Sequence, residues 1–316
     1  MQNKLPVQFR KSKTVSYQFE RLQYCKSCNG YSVLSESECN NCHAKNSTIS
    51  LEKYAHILNS RMKRTELLVV IALAALAVVF SQDLLQLLLT GAIGLSITIA
   101  YMILQRTYRN SEKSSRLQQL VMKESPIIRD YLQQEVQKSE ELMEQNQLKL
   151  AYEDLREIGS LLHIDEIKLL KIDCLKHFII RNDMDLELDT IIPNRYNADL
   201  VNYIYEVSKV NRQAIREDAI HYIVNYRHII EALPNGHDIL VSIASCTVKM
   251  KHYVTHFSSF ILDFVQFMPR DRLLRLCKLL SNISNSELVE LHLLKMKCKE
   301  TVRVQYGFDP DFQGIL

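Results

Sequence analysis

The chain has 316 residues, 39 Lys or Arg against 36 Asp or Glu, and a net charge of +3. Past residue 104 the only glycines are Gly159, Gly236, Gly307 and Gly314, which excludes the Gly-rich phosphate loops of Rossmann and P-loop proteins. The charge is uneven: residues 1–64 hold eleven Lys or Arg and four Glu, a net of +7, so the remainder sums to −4.

Residues 1–20 read as a basic tail. Then Cys25, Cys28, Cys39 and Cys42 form C-x2-C-x10-C-x2-C over a segment spanning about 21–50. Each C-x2-C sets two thiolates on one tight turn, and two such knuckles complete a tetrahedral four-sulfur shell of the kind that suits zinc. Between them, Asn29-Gly30 favours a turn and Tyr31 to Leu34 a short strand. Over residues 22–46 this segment resembles the zinc-ribbon family, in which Gly commonly follows a knuckle directly; here Asn29 follows Cys28 and His43 follows Cys42. The resemblance implies a structural Zn2+ on the four cysteines and a surface presented to nucleic acid or to another protein. A closed four-thiolate shell leaves no coordination position for catalysis. Phe9, Tyr17, Phe19, Tyr24 and Tyr31 interleave with the basic residues and are candidates for base stacking or for a minimal core.

Leu67 to Leu104 is a run of 38 residues with one charge, Asp83. As one helix it would extend roughly 57 Å, against a bilayer core of about 30 Å. The run predicts a transmembrane hairpin over 65–104, with helices at 65–82 and 84–104 and a break at Ser81, Gln82 and Asp83. Basic residues flank both ends (Lys53, Arg61, Lys63, Arg64; Arg106, Arg109, Lys113, Arg116) and none lies in the turn. The positive-inside rule then predicts an integral membrane protein with both termini cytoplasmic and contact with anionic headgroups. Gly91, Ala92, Gly94 and Ser96 form a small-residue strip that permits close helix approach or homo-oligomerisation.

Residues 105–162 read as a helical stalk that Ser125-Pro126 should end or kink; a homomeric coiled coil is one reading of it. Residues 163–316 read as an α-helical domain, because apolar residues recur at three and four. Helices are placed near 165–181, 198–210, 212–232, 237–250, 252–267, 270–282 and 285–305, the last opened by a Ser284/Glu287 capping box. Helix pairs starting near 198, 237 and 270 suggest an alpha-helical repeat, solenoid-like or an irregular bundle. The acids Asp183, Asp185, Glu187 and Asp189 lack the glycine and spacing of a calcium loop. Cys174, Cys246, Cys277 and Cys298 sit singly on apolar faces and read as buried thiols. His252 and His256 share a helix face, but a third metal ligand is not evident; Asp218 and His221 read as a surface pair.

The fold class is therefore mainly α, with a small amino-terminal ribbon, a membrane hairpin and a carboxy-terminal helical domain. The expected function is a non-enzymatic membrane-anchored scaffold that binds a protein partner through its helical domain. The alternative is a membrane-tethered nucleic-acid binder using the basic ribbon arm.

Overall fold

The structure is a computed structural model that describes residues 4–11, 15–17, 19–34, 38–79, 84–107, 109–184, 186–282 and 289–313. The chain divides into two compact units: Lys13–Glu141 with Ser160–Leu162, and Met1–Ser12 with Leu142–Gly159 and His163–Leu316.

The first unit opens with a three-stranded antiparallel sheet of β1 (Gln23–Cys25), β2 (Tyr31–Ser32) and β3 (Thr48–Ser50), in the order β2-β1-β3. Tyr24 pairs with Tyr31 on one side and with Ile49 on the other. So small a sheet cannot bury much, and its core is correspondingly short: Leu22, Tyr24, Tyr31, Val33, Leu51 and Ala55. Tyr24 stacks on Tyr54 with centroids 3.7 Å apart.

Two long helices follow, α1 (Leu51–Val79) and α2 (Leu84–Thr107). They pack on one another, and the Tyr101 hydroxyl donates to Glu66 Oε2 at 2.7 Å. Among the described residues no helix is long and apolar enough to cross a membrane. That corrects the transmembrane hairpin expected at 65–82 and 84–104, and with it the integral-membrane localisation and the cytoplasmic placement of the termini. The helix boundaries supply a physical reason. α1 begins at Leu51, so its first half carries Glu52, Lys53, His56, Arg61, Lys63 and Arg64. Among the described residues its apolar part, Leu67–Val79, covers about 20 Å. Polar residues recur along α2, where the hydroxyls of Thr90, Ser96 and Thr98 bond back to carbonyls four residues earlier. Many of the hairpin's apolar side chains are exposed, Leu73, Leu88 and Leu95 among them. Ser81, Gln82 and Asp83 lie outside the described residues.

Next comes α3 (Arg109–Glu144), which continues through Pro126 rather than ending there. It is held to the ribbon on both sides of the proline. The Tyr31 hydroxyl donates to Glu124 ahead of it. Behind it, Ser32 Oγ and the Val33 N–H donate to Glu135, and Lys138 donates to the Asn40 carbonyl at 2.7 Å. Ile128, Leu132, Glu135, Val136 and Ser139 form one buried stripe along α3. The thin apolar pattern of this segment thus serves an intrachain face.

The second unit is helical: α4 (Leu148–Gly159), α5 (Asp165–Leu175), α6 (Ala198–Val210), α7 (Glu217–Asn225), α8 (Arg227–Glu231), α9 (Gly236–Thr247), α10 (Lys251–His256), α11 (Ser258–Phe264), α12 (Arg270–Ser281), α13 (Val289–Tyr306) and α14 (Pro310–Gln313). Packing proceeds broadly in chain order. α4 lies on α5, α5 on α6, and α6 on α9; α11 and α12 both lie on α13. α9 is the central element, touching α6, α7, α8 and α11, with Ile239, Leu240, Ile243 and Ala244 fully buried. Asn197 caps α6 by accepting from the Leu200 N–H at 2.8 Å.

The first residues of the chain belong to this helical unit. Leu5 bridges Phe178 in parallel: the Leu5 N–H donates to the His177 carbonyl at 2.8 Å, and Ile179 N–H to the Leu5 carbonyl at 3.0 Å. Phe9 sits against Tyr152 and Phe178. Lys4 pairs with Glu206, and Arg10 with the buried Glu153 at 3.3 Å. At the other end, Arg270 holds Asp309 and Asp311 while Phe312 is buried on Tyr306. The aromatic, acidic tail therefore packs back onto its own unit.

Two of the cysteines read as thiols are bonded to each other. Cys277 of α12 and Cys298 of α13 form a disulfide, because the packing of those helices brings their buried faces together. Cys174 and Cys246 are buried free thiols. Among the acids of the linker, Asp183 pairs with Arg181 and Asp189 with Arg216. Asp185, Ser284 and Glu287 lie outside the described residues.

Candidate metal centre

Two turns build the centre. In the first, the Cys25 N–H donates to the Gly30 carbonyl at 2.9 Å, closing the chain over Ser27 and Cys28. In the second, the His43 N–H donates to the Cys39 carbonyl at 2.9 Å and the Cys39 N–H to the Ala44 carbonyl at 3.2 Å. Asn29 and His43, the residues directly after Cys28 and Cys42, have φ of 56° and 55°. They occupy the left-handed region that Gly takes most easily. Asn29 is held there by the Tyr24 hydroxyl, which donates to Asn29 Oδ1 at 2.6 Å. Gly30 has a different reason to be glycine. A Cβ there would come 2.9 Å from the Tyr131 ring and 3.2 Å from Cys28 Sγ.

All four Sγ atoms lie within 4.8 Å of one another. Cys25 and Cys42 are 3.7 Å apart, as are Cys28 and Cys39. A tetrahedral shell with metal–sulfur bonds of about 2.3 Å has edges of about 3.8 Å. The sulfurs thus stand at the spacing of one metal's ligands, and the cluster is compatible with a zinc ribbon. Cys25 and Cys39 are buried and Cys42 is exposed.

The four thiols are not equivalent. Burial would raise Cys25, but the Ser47 hydroxyl, 3.1 Å from its sulfur, and the backbone N–H groups of Cys28 and Ser27 outweigh burial and bring it down to about 6. Burial pushes Cys28 up to about 12, with the neighbouring thiols adding to it against a backbone bond from Gly30. Metal binding to such a set displaces protons, since thiolates are the ligands.

The cysteine spacing names the ligands but not their support. Glu124 and Glu135, which hold the ribbon, lie on α3 about a hundred residues away, and nothing in a charged helix marks a carboxylate that faces inward. Tyr24 and Tyr31, candidates for stacking on bases, are buried in the ribbon core. Of the eleven basic residues in the first 64, Lys4, Arg10 and Lys11 belong to the helical unit. Compared with known protein families, curated proteins and solved structures, the chain matches none.

Proposed function

We propose that this protein is a non-enzymatic adaptor. Its ribbon carries a structural Zn2+ on Cys25, Cys28, Cys39 and Cys42, and its helical unit docks a protein partner on α13. The zinc would supply folding energy to a segment with little core of its own. The observation that supports an adaptor is that α13 exposes four large apolar side chains, interrupted by Glu300, opposite its buried face. Leu291, Leu294, Cys298 and Val302 are buried against the unit. Val289, Leu293, Met296 and Val304 are exposed, each by 46% or more, and at 100° per residue they share a stripe roughly 80° wide. A surface helix needs one apolar face for its own core; a second, exposed one marks a protein-binding surface.

The test is a crosslinked pull-down of the full chain, scored for protein and for nucleic acid. The adaptor reading expects a stoichiometric protein partner that is lost in Leu293→Glu/Met296→Glu. Recovery of RNA or DNA that disappears in Cys25→Ser/Cys39→Ser, without such a partner, would replace it with nucleic-acid binding by the ribbon. Zinc content measured on the same samples should fall only in the cysteine variant.

A further inference from the structure

A second cluster of ligand-type side chains lies in the helical unit, away from the cysteines. Glu217 and His221 are four residues apart on α7, and His252 and His256 four apart on α10, so each helix turns its pair to one side. Packing brings the two pairs together. His221 Nε2 and His256 Nε2 are 3.3 Å apart. Glu217 Oε1 lies 3.7 Å from His221 Nε2, 3.8 Å from His252 Nε2 and 4.0 Å from His256 Nε2. Glu217, His221 and His256 satisfy mutual ligand spacing within 4.8 Å.

The His221–His256 contact is itself at hydrogen-bond distance, but the carboxylate contacts fit poorly with ordinary pairing. A carboxylate bonded to an imidazolium closes to about 2.7–2.9 Å, yet three ring nitrogens surround Glu217 Oε1 at about one ångström beyond that. They fit well with donors around a common centre. Zinc–nitrogen bonds of about 2.0–2.1 Å in a tetrahedron set donor–donor edges of about 3.3–3.4 Å, and the His221–His256 edge is 3.3 Å. The carboxylate edges need to contract by about 0.3–0.7 Å to reach that spacing, which partly exposed side chains can accommodate. Glu217, His221 and His256 keep 39–47% of their side-chain surface, and His252 keeps 67%.

We infer that Glu217, His221 and His256 form a second metal site for a divalent first-row transition ion, with His252, 3.8 Å from Glu217 but outside the mutual spacing of the three, at its edge. Imidazole and carboxylate donors suit zinc, copper or nickel, and zinc is the reference ion. The site joins α7 to α10 across 35 residues of sequence. It is independent of the adaptor reading and of the ribbon.

The experiment uses the full chain, metal-stripped and then dialysed against Zn2+ or Co2+. Wild type should take up two zinc ions. His221→Ala/His256→Ala should take up one, with the second equivalent weakened at least a hundredfold. With cobalt, the ribbon gives intense sulfur-to-metal charge-transfer bands, whereas the histidine site gives only weak d–d bands. The histidine variant should therefore keep the former and lose the latter, and failure of the ribbon would show separately as loss of the charge-transfer bands. Equal zinc content in wild type and histidine variant overturns the site. As a check independent of the variant's folding, zinc added to wild type beyond the first equivalent should shift the His221 and His256 ring nitrogens in NMR. Unshifted rings at saturating zinc also overturn it.

Discussion

Glu135 provides the sharpest test of how the ribbon is held. It is 4% exposed and accepts from Ser32 Oγ and from the Val33 N–H, the latter at 3.3 Å. Both donors belong to nearly buried residues. Glu135→Ala removes the acceptor of both bonds, at about 1–3 kcal/mol for each buried bond lost. Val33, with the longer bond, takes the low end of that range. A total of about 3 kcal/mol is a factor of roughly 150 in the equilibrium for opening the ribbon from α3. The assay is amide hydrogen exchange of the full chain, following peptides across residues 22–34, where local opening sets the rate. Glu135→Ala should accelerate exchange there by about two orders of magnitude. Glu135→Gln should accelerate it less, because the amide oxygen still serves one donor. Lys138→Ala removes an exposed bond to the Asn40 carbonyl and should change exchange less than about threefold. If Glu135→Ala exchanges within threefold of wild type and its far-UV spectrum is unchanged, the carboxylate does not hold the ribbon.

Other outcomes follow from single features. His43 has a φ of 55°, which costs a non-glycine residue about 1–2 kcal/mol, so His43→Gly should slow zinc release from the ribbon; an unchanged or faster release rate would refute the strain. Lys171 is 2% exposed, and burial lowers its ammonium to about 8, with Glu187 opposing and Arg156 adding to the effect. Its folded value lies below the unfolded 10.5, so the unfolded chain binds more protons between pH 8 and 10.5, and stability should climb across that window. The cost below pH 8 is about 3 kcal/mol. Lys171→Met should raise the denaturation midpoint at pH 7 and flatten the climb; a less stable variant with the same pH slope would count against it. The disulfide of Cys277 and Cys298 closes a loop with a sequence separation of 21, which the chain-entropy relation values at about 3 kcal/mol. Reductant should destabilise the helical unit by that order, and thiol titration of unreduced, metal-free, denatured protein should count six free cysteines; eight would refute the bond.

What the sequence showed best was local. Two C-x2-C knuckles bring their thiols together because each is one tight turn, and the cluster follows from spacing alone. Helices of the second unit were also legible, as where the one placed near 270–282 is α12, Arg270–Ser281. Hydropathy misled at Leu67–Leu104. A run of apolar letters fixes neither where a helix begins nor where it ends, and α1 starts sixteen residues before the run. The rest was hidden because it depends on packing. Nothing in the sequence singled out Glu135 or Lys171, yet tertiary contacts bury both. Cys277 and Cys298 looked like separate thiols until α12 met α13. The pair His252 and His256 lacked a third ligand in sequence because Glu217 and His221 lie on another helix.

The bridge formed by Leu5 has a consequence for synthesis. Its partners, His177 to Ile179, and the Glu206 that meets Lys4, leave the ribosome some 170–200 residues later. At 5–20 residues per second, that is a wait of roughly ten to forty seconds. During it Lys4 and Leu5 lack these partners, while everything from the ribbon to α3 emerges as one long insertion within a unit still incomplete. The residues of the ribbon unit up to Glu141 are thus made before the helical unit can close. Disturbing residues 4–11 would therefore burden the closing step of the helical unit, not the folding of the ribbon beside it in sequence.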